Sequence, residues 1–321
     1  MNAAVSPKRR TARSTALVAG VLAATAFFAT ACSSSDSSGS SAVPGNGGGK
    51  ATVKSDTDAV SALIAAEKPA ADIAPGSTAA KIKAQGYLRV GGTQTAALFS
   101  LLNPTTGKVQ GFDAAMSQLL AKYIIGKPST KLTNVTSETR EALLKSHQVD
   151  TVFATYTITP EREKQVAFAG PYYEDGLAIQ VRKGTTGISS MADLNGKTVI
   201  TESGSTVPAA VKQAAPQAKI QLFDTNTECV QALSQKRGDA YVLDQSLLAG
   251  NAVTNKDLEV LPGLYTKEEY GVGVALDEPD FKQFVNTWLQ QVEADGTWAK
   301  VWQATVGTEV PGAVPTPPTV G

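Results

Sequence analysis

Two arginines and three hydroxyl side chains recur within a short stretch between positions 137 and 162. In chain order they are Ser137, Arg140, Thr155, Thr157 and Arg162. A guanidinium binds both oxygens of a carboxylate at once and stays charged at physiological pH, and hydroxyl groups donate hydrogen bonds to the same anion. This spacing predicts a receptor for a small molecule that carries carboxylate groups, such as a free amino acid.

The ammonium end of such a ligand needs an anion, because an unpaired buried charge is very costly. Asp244, which ends the segment Asp-Ala-Tyr-Val-Leu-Asp, is the candidate. Its alternative role is to cap the helix that follows, and the two roles are compatible. Ser205 and Thr206 follow Gly204 between a predicted strand and a predicted helix, where free backbone N–H groups and the helix dipole favour an anion.

The charge balance excludes several function classes. Lysines and arginines number 29 and acidic residues 29, for a formal net charge of +0, which lacks the basic footprint of a nucleic-acid binder. One histidine, His147, counts against histidine-ligated metals and against a nucleophilic triad, and its position among polar neighbours indicates a solvated residue. We therefore expect no cofactor, no metal and no nucleic-acid partner.

The N-terminus has the pattern of an export signal. Basic residues precede an apolar run over positions 16–28, which is shorter than the roughly 20 residues that span a bilayer as a helix. The small residues before Cys32 resemble the lipobox of bacterial lipoproteins, with Ala29 where leucine is usual. The alternative is an ordinary signal peptide cleaved near Ala31. We expect a signal peptide over residues 1–31 and lipidation of Cys32.

The residues after Cys32 are rich in serine and glycine, which is typical of a flexible tether to a membrane anchor. We assign residues 32–55 to this tether and place the protein on the extracytoplasmic face of the cell membrane. If Cys32 is lipidated, Cys229 has no partner, so the sequence predicts no disulfide framework and a buried thiol. An Ala-rich extension over residues 56–80 suggests a short helix without a functional interpretation.

Beyond the extension, predicted strands and helices alternate, which argues for an α/β layer. A helix is expected over residues 112–125, with Met116, Leu119 and Tyr123 on one apolar face. Further helices are expected over residues 138–146 and 280–294. The last residues, 308–321, are rich in Pro and Gly and predict a disordered tail. The remaining length suits two modest lobes.

Four ordered motifs resemble those of the bacterial extracellular solute-binding proteins of family 3, which deliver amino acids to ABC transporters. They are Val-Gln-Gly-Phe-Asp at 109–113, Thr-Pro-Glu-Arg-Glu-Lys at 159–164, Val-Ala-Phe-Ala-Gly-Pro-Tyr-Tyr at 166–173, and the segment ending at Asp244. Ala115 departs from the acid that the family commonly has. The resemblance implies an α/β, two-lobed periplasmic-binding-protein-like fold of type II, with two hinge strands and the ligand in the cleft. We expect lobe 1 over residues 81–177 and 272–307, and lobe 2 over 178–271.

The resemblance also implies roles for residues. Arg162 would hold the ligand's α-carboxylate, with Thr155 and Thr157 donating to it. In relatives that bind glutamate and aspartate, a serine and an arginine at the spacing of Ser137 and Arg140 read the side-chain carboxylate. The alternative for Arg140 is a surface position near a neighbouring acid.

Two positions near the first strand bear on specificity. Acidic-ligand binders of the family can have a further arginine near Thr93 or Gln94, and a neutral residue there would suit an amide. Asparagine and glutamine therefore stay open as ligands. Phe99 would wall the pocket against the ligand's methylene groups, with core packing as the alternative.

We expect a monomeric, lipid-anchored binding protein that passes glutamate or aspartate, and next asparagine or glutamine, to an ABC transporter permease. Catalysis is not required for that role. One alternative is a sensor that reports ligand occupancy to a membrane signalling partner. Another is an enzyme, because cyclohexadienyl dehydratases resemble these binders, and Glu202 would be its candidate general acid.

Overall fold

The computed structural model describes residues 55–310 and 312–321. The predicted signal peptide, Cys32 and all but the last residue of the predicted tether lie outside the described residues. In the part that is described, no helix is both long and apolar enough to cross a membrane.

Helices and strands alternate along the chain, as the sequence predicts. The helices are α1 (Thr57–Ala66), α2 (Thr78–Gln85), α3 (Phe112–Ile125), α4 (Arg140–Lys145), α5 (Pro160–Glu163), α6 (Val207–Ala214), α7 (Asn226–Ser234), α8 (Gln245–Thr254), α9 (Pro279–Ala294) and α10 (Thr297–Ala304), with short 3₁₀ turns at Met191–Leu194 and Val306–Thr308. The strands are β1 (Leu88–Gly92), β2 (Thr95–Ala96), β3 (Ser100–Leu102), β4 (Val109–Gln110), β5 (Thr130–Asn134), β6 (Thr151–Val152), β7 (Ala167–Asp175), β8 (Leu177–Arg182), β9 (Thr198–Glu202), β10 (Lys219–Phe223), β11 (Ala240–Asp244), β12 (Leu258–Val260) and β13 (Glu268–Val274).

The strands form two five-stranded sheets and a small third one. The first sheet has the order β5-β1-β6-β13-β7, the second has the order β10-β9-β11-β8-β12, and β2, β3 and β4 form the third. Helices α3, α4, α5 and α9 pack on the first sheet, and α6, α7 and α8 pack on the second. We call each five-stranded sheet with its helices a lobe, the first lobe and the second lobe.

The chain passes between the lobes at two adjacent points. Strand β7 of the first lobe ends at Asp175, and β8 of the second begins at Leu177, so the first crossing is at Gly176. The return crossing lies between β12 and β13, and Glu268 pairs with Asp175. A Cβ on Gly176 would lie 2.3 Å from the carbonyl oxygen of Thr266, so the two crossing segments touch.

The lobe boundary predicted from the sequence lies between residues 271 and 272, whereas the strand pairing in the structure places this boundary before Glu268. Strand β13 pairs with β7 from Glu268 onward, so the whole strand belongs to the first sheet. The reason is physical: a strand is held by its ladder of backbone hydrogen bonds, and that ladder begins at the crossing itself.

Local sequence explains the elements that carry the polar side chains. Helix α5 begins with Pro160, whose fixed φ suits the first helical position, and the side chain of Thr159 accepts a hydrogen bond from the backbone N–H of Arg162. Beneath α4 and α5 lies a small apolar cluster that includes Leu144, Tyr156 and Phe168. This packing fixes both helices on the first sheet.

The C-terminal tail is a correction to the sequence analysis, which expected disorder. The backbone N–H of Gly321 donates to the carbonyl of Gly170 at 3.1 Å, and Asn286 of α9 donates to the carbonyl of Gly321 at 2.7 Å. Val320 is buried. Pro- and Gly-rich composition prevents a regular element but not an extended segment that packs on a helix. The extension before β1 contains α1 and the start of α2, so the expected short helix is present.

Candidate functional site

Arg162 lies where the two lobes meet. Its side chain is buried, with 8% of the residue exposed, and its Nη1 donates to the carbonyl oxygen of Thr157 at 2.7 Å. Its Nη2 donates to the carbonyl oxygen of Gly204, in the second lobe, at 2.9 Å. Burial lowers the pKa of Arg162, while Glu268 and Asp244 act in the opposite direction. The guanidinium is thus a desolvated cation that bridges the cleft.

Arg140 is a second buried cation in the same lobe, so the surface alternative for it is wrong. It is 3% exposed, its Nη1 donates to the carbonyl oxygen of Ala154 at 2.8 Å, and its Nε has no hydrogen-bond partner among the described residues. Burial and the charge of Arg162 lower the pKa of Arg140 to about 10. The ring of Tyr156 lies under both guanidinium groups, 3.8 Å from Arg140 and 5.2 Å from Arg162. The Nε of Arg162 lies 3.9 Å from Oε1 of Glu141, which is partly exposed, so this carboxylate compensates part of the charge. Two buried cations over one ring, beside one such acid, still favour an anionic ligand.

Thr155 and Thr157 lie between these arginines. Thr155 has a positive φ of 43°, and its backbone N–H donates to Oδ2 of Asp113 at 2.9 Å. That N–H group therefore already has an acceptor within the protein. The hydroxyl of Thr155 remains the group expected to donate a hydrogen bond to the ligand. Thr157 is buried and bridges to Tyr270 of β13.

Asp113 is a residue whose role the sequence analysis did not identify, although it lies in the motif at 109–113. Its Oδ1 accepts from the hydroxyl of Tyr172 at 2.8 Å, and its other oxygen holds Thr155. Burial raises the pKa of Asp113 to about 6, against hydrogen bonds that lower it. The motif was the signal that could have identified this residue, whose two hydrogen bonds connect the segment at Thr155 to Tyr172 of β7.

Ser137 and Glu202 face each other across the cleft. The hydroxyl of Ser137 donates to Oε2 of Glu202 at 3.2 Å. Burial raises the pKa of Glu202 to about 7, while Arg140 and the Ser137 hydrogen bond act to lower it. A carboxylate of the second lobe thus lies beside the two residues that the sequence analysis expects to read the ligand's side chain.

The Gly204 loop is the part of the second lobe that meets the first. Ser205 donates to the carbonyl of Glu202 at 2.7 Å, and Thr206 donates to Oε1 of Glu268 at 3.3 Å. Both hydroxyls have acceptors within the protein. The expected anion site at the backbone N–H groups of this loop stays a prediction.

Asp244 has an unpartnered, buried oxygen. The residue is 7% exposed, and within the part of the chain that the structure describes its Oδ1 has no hydrogen-bond partner. It is the N-cap residue of α8 by position, but its side chain makes no capping bond, and Oδ2 of Asp175 accepts from the N–H of Ser246 at 3.2 Å instead. Burial, followed by the charges of Asp175 and Glu268, raises the pKa of Asp244 well above its usual value. This group of carboxylates favours a cation.

Thr93 and Phe99 lie next to the small third sheet. The carbonyl of Thr93 accepts from the hydroxyl of Ser100 at 2.5 Å. Phe99 has no exposed surface, and its ring packs edge-on against Tyr173 with 5.1 Å between centroids, and against Tyr270 at 6.1 Å. The structure therefore favours the core alternative for Phe99.

Two further hydrogen bonds join the lobes. Ser203 donates to Oε2 of Glu138 at 3.1 Å, and Asn226 donates to the carbonyl of Thr95 at 2.9 Å.

His147 is exposed, as expected, with Nε2 3.3 Å from a carboxylate oxygen of Asp277. Cys229 is a free, buried thiol, in agreement with the sequence analysis.

Comparison with known proteins defines the class. Residues 88–307 match the family described as bacterial extracellular solute-binding proteins, family 3. The chain belongs to this family. Its relatives include amino-acid-binding proteins of ABC transporters.

Individual relatives support this placement. The chain is 38% identical to a glutamine-binding protein of Geobacillus stearothermophilus, over 66% of this chain and 81% of the relative. It is 30% identical to a glutamate-binding protein of Corynebacterium efficiens, over 65% of this chain and 75% of the relative. These relatives are named as binding proteins rather than as enzymes.

A solved structure confirms the predicted fold class. An ancestral amino acid-binding protein, described as a precursor of cyclohexadienyl dehydratase, superposes with a TM-score of 0.67 at 33% identity, over 72% of this chain and 100% of that chain. The two-lobed α/β fold of type II is thus confirmed, and the roles of individual cleft residues stay predictions.

Proposed function

We propose that this protein is a lipid-anchored receptor that captures polar amino acids for an ABC importer, with glutamate and aspartate first and asparagine and glutamine next. One observation carries the proposal. The first lobe has two buried guanidinium groups, Arg140 and Arg162, and the facing part of the cleft has the unpartnered carboxylate oxygen of Asp244. This is the charge pattern that an amino acid zwitterion with a polar side chain requires.

Arg162 is the proposed clamp for the α-carboxylate. Its guanidinium is desolvated and already spans the cleft to Gly204, so a carboxylate bound there would contact both lobes. Charge-assisted, bidentate hydrogen bonds of this kind are roughly twice as strong as neutral ones. The clamp would therefore couple ligand binding to lobe closure.

Asp244 is the proposed partner of the α-ammonium. The charges of Asp175 and Glu268 act on it, and these two residues also lie at the two crossings between the lobes. An ammonium group at this place would relieve the repulsion among three carboxylates, and it would do so at the hinge. Ligand binding would thus stabilise the closed arrangement, which the permease would recognise.

Arg140 and Ser137 are the proposed readers of the ligand's side chain. Arg140 has one side-chain hydrogen bond to the protein and a buried, unpartnered Nε, so it retains donors for a ligand oxygen. Side-chain carboxylates and side-chain amides both present such an oxygen. The relatives named above, one for glutamine and one for glutamate, bind ligands of both kinds.

The membrane anchor is proposed from the sequence, because Cys32 lies outside the described residues. Mass spectrometry of the mature protein tests it directly. A diacylglyceryl mass on an N-terminal Cys32, absent from a Cys32→Ala variant, is the expected result. A free thiol at Cys32, or an N-terminus at another residue, would contradict the anchor but not the binding function.

Calorimetric titration of the protein without its N-terminal signal and tether tests the ligand class. Glutamate, aspartate, glutamine and asparagine are titrated in turn, with lysine and leucine as ligands that lack the predicted side-chain oxygen. Tight binding of the four polar ligands, and none of lysine or leucine, is expected. If none of the four binds, the proposed function is wrong.

Dehydratase activity is a second candidate, favoured by two observations. Glu202 lies in the cleft with a pKa of about 7, which suits a general acid, and the ancestral structure is described as a precursor of such an enzyme. Incubation with prephenate or arogenate, followed by detection of phenylpyruvate or phenylalanine, decides between the two. Product formation that Glu202→Gln abolishes would establish the enzyme, and no product would leave binding as the function.

A further inference from the structure

The two expected readers of the ligand's side chain already face a carboxylate of the protein itself. Glu202 is the last residue of β9, in the second lobe, and it is half-buried. Its Oε2 accepts from the hydroxyl of Ser137, and Arg140 is the charge that acts on it most strongly. A side-chain carboxylate of the protein thus occupies the electrostatic environment that the carboxylate of an acidic ligand would enter.

Arg140 is available to either carboxylate. Its Nη1 donates to the carbonyl of Ala154, and its Nε has no partner in residues 55–310 and 312–321. Burial lowers the pKa of Arg140, and the charge of Glu202 acts in the opposite direction. An acidic ligand that approached these donors would therefore meet an anion already placed beside them. An amide ligand would present both an oxygen for Arg140 and an N–H group for a carboxylate acceptor.

We propose that Glu202 is a specificity-determining residue of the cleft: when ionised it repels the side-chain carboxylate of glutamate and aspartate and accepts a hydrogen bond from the side-chain amide of glutamine and asparagine. When protonated, Glu202 donates a hydrogen bond to the ligand's carboxylate. This inference rests on the proposed function. It adds Glu202, a residue of the second lobe, to Arg140 and Ser137, the first-lobe residues that are proposed to recognise the ligand's side chain.

The groups around Glu202 identify what controls its charge. From α4 it faces Arg140, and from the loop before α4 it faces Ser137. Its charge also acts on Cys229 of α7 and on Tyr241 of β11. Strand β10 places Phe223 opposite it. Burial raises the pKa values of the Cys229 thiol and the Tyr241 hydroxyl, so both stay neutral near pH 7. Arg140 is therefore the charged neighbour that most affects whether Glu202 is ionised or protonated near pH 7.

The proposal has a pH dependence with a definite sign. Glu202 has a pKa of about 7, so it is mostly protonated below that value and mostly ionised above it. The side-chain carboxylate of free glutamate has a pKa of about 4.3 and keeps its charge throughout. Raising the pH through 7 should therefore weaken glutamate binding relative to glutamine binding. Groups at the α end of the ligand act equally on both ligands, so they cancel in the ratio of the two dissociation constants.

The test is calorimetric titration of the wild-type protein with glutamate and with glutamine at about pH 5.5 and about pH 8.5, conditions that bracket the transition. The ratio of the dissociation constant for glutamate to that for glutamine should rise on the order of tenfold, because two like charges would share one site at the higher pH. In Glu202→Gln most of this change should disappear, and a small remainder is expected from Asp113, which interacts with Arg140 and has a pKa of about 6. Glu138→Gln, which removes a carboxylate that also contacts the opposite lobe, is the matched control and should behave as the wild type.

Each outcome separates this inference from the proposed function. A ratio that does not change with pH in the wild type, or that changes as much in Glu202→Gln as in the wild type, would overturn the role of Glu202 while polar amino acids still bind. Absence of binding by either ligand at both pH values would overturn the proposed function itself. The wild-type titrations test the proposal even if the variant does not fold. Thermal melting of Glu202→Gln checks that this variant is folded.

Discussion

Arg162 and Gly204 join the two lobes through one hydrogen bond: Nη2 of the arginine donates to the carbonyl oxygen of the glycine at 2.9 Å. The glycine brings its backbone into direct contact with the first lobe. A Cβ at Gly204 would lie 2.8 Å from the carbonyl carbon and oxygen of Ser137 and from the nitrogen of Glu138. The proposed clamp and a close approach of the two lobes therefore meet at one residue.

Gly204→Ala should weaken the binding of every ligand, because the added methyl group would hold the lobes apart where the backbone of Gly204 meets Ser137 and Glu138. Real Cβ atoms essentially never lie under 3.0 Å from another heavy atom, and here the neighbouring atoms belong to the backbone. We expect a loss of affinity on the order of tenfold or more for glutamate and glutamine alike. Small-angle scattering with saturating ligand should show a larger radius of gyration than for the wild type.

Gly196→Ala is the matched control for this substitution. Gly196 has a φ of 75°, close to the 71° of Gly204, and a Cβ there would have no atom of the described residues within 4 Å. Both variants carry the conformational strain of a left-handed alanine, about 1 kcal/mol, but Gly196→Ala adds no contact between lobes. Equal affinities in the two variants would contradict the role of Gly204 in closure.

Arg162→Ala should abolish measurable binding of all four polar amino acids. The variant removes the proposed α-carboxylate clamp, which every amino acid needs, so the loss should be on the order of 100-fold or more. Arg162→Lys should recover part of it, because an ammonium keeps the charge but not the bidentate geometry. Lys164→Ala, at an exposed position just after the same helix, should bind as the wild type does. Wild-type affinity in Arg162→Ala would exclude the clamp.

Arg140→Ala should reduce the affinity for glutamate and aspartate more than that for the amides. The lost interaction with an acidic ligand is a charge pair, and with an amide it is a charged-to-neutral hydrogen bond, so a difference of about tenfold is expected. Arg237→Ala is the control, since Arg237 also lies over an aromatic ring, that of Phe223, but at the surface. Equal losses for glutamate and glutamine, measured by calorimetry, would assign Arg140 to packing on Tyr156 rather than to specificity.

The elements that position the site could be predicted where local signals determine them. The bounds of α3 match the prediction, because apolar residues at helical spacing lie between Gly111 and Gly126, and a left-handed Gly126 ends the helix. Helix α5 follows from Pro160 and the capping side chain of Thr159. The family motifs then placed Arg162 in a cleft, which the local sequence could not do.

The contacts that complete the site depend on residues far apart in the chain. The hydrogen bond from Ser137 to Glu202 joins two lobes, and no local pattern predicts it. The cap of α8 comes from Asp175 on a strand of the first sheet, whereas the local rule assigns it to Asp244. This exchange leaves an oxygen of Asp244 without a partner, so the structure supplies the argument for ammonium binding that the sequence left open.

Asp244→Asn should separate stability from function. Burial and the charges of Asp175 and Glu268 raise the pKa of Asp244 in the folded state, whereas an unfolded aspartate has a pKa of about 3.9. The folded protein therefore binds more protons than the unfolded chain above about pH 4, and its free energy of unfolding falls as the pH rises toward the folded pKa. Removing the charge should raise the melting temperature of the ligand-free protein at about pH 8, by about 2 to 4 °C for each kcal/mol of repulsion relieved.

The same substitution should greatly weaken the binding of all four polar amino acids, because a neutral amide cannot compensate the ligand's ammonium. Scanning calorimetry of ligand-free wild type and variant between about pH 5 and pH 8 measures the first effect, and titration with glutamate measures the second. Asp113 and Glu202 also have raised pKa values, so the decline in stability with pH should become shallower in the variant without vanishing. Asp224→Asn, at an exposed position, controls for the change in net charge. An Asp244→Asn protein that melts at a lower temperature than the wild type at about pH 8, or that still binds glutamate tightly, would show that Asp244 is a structural carboxylate and that the ammonium site lies elsewhere in the cleft.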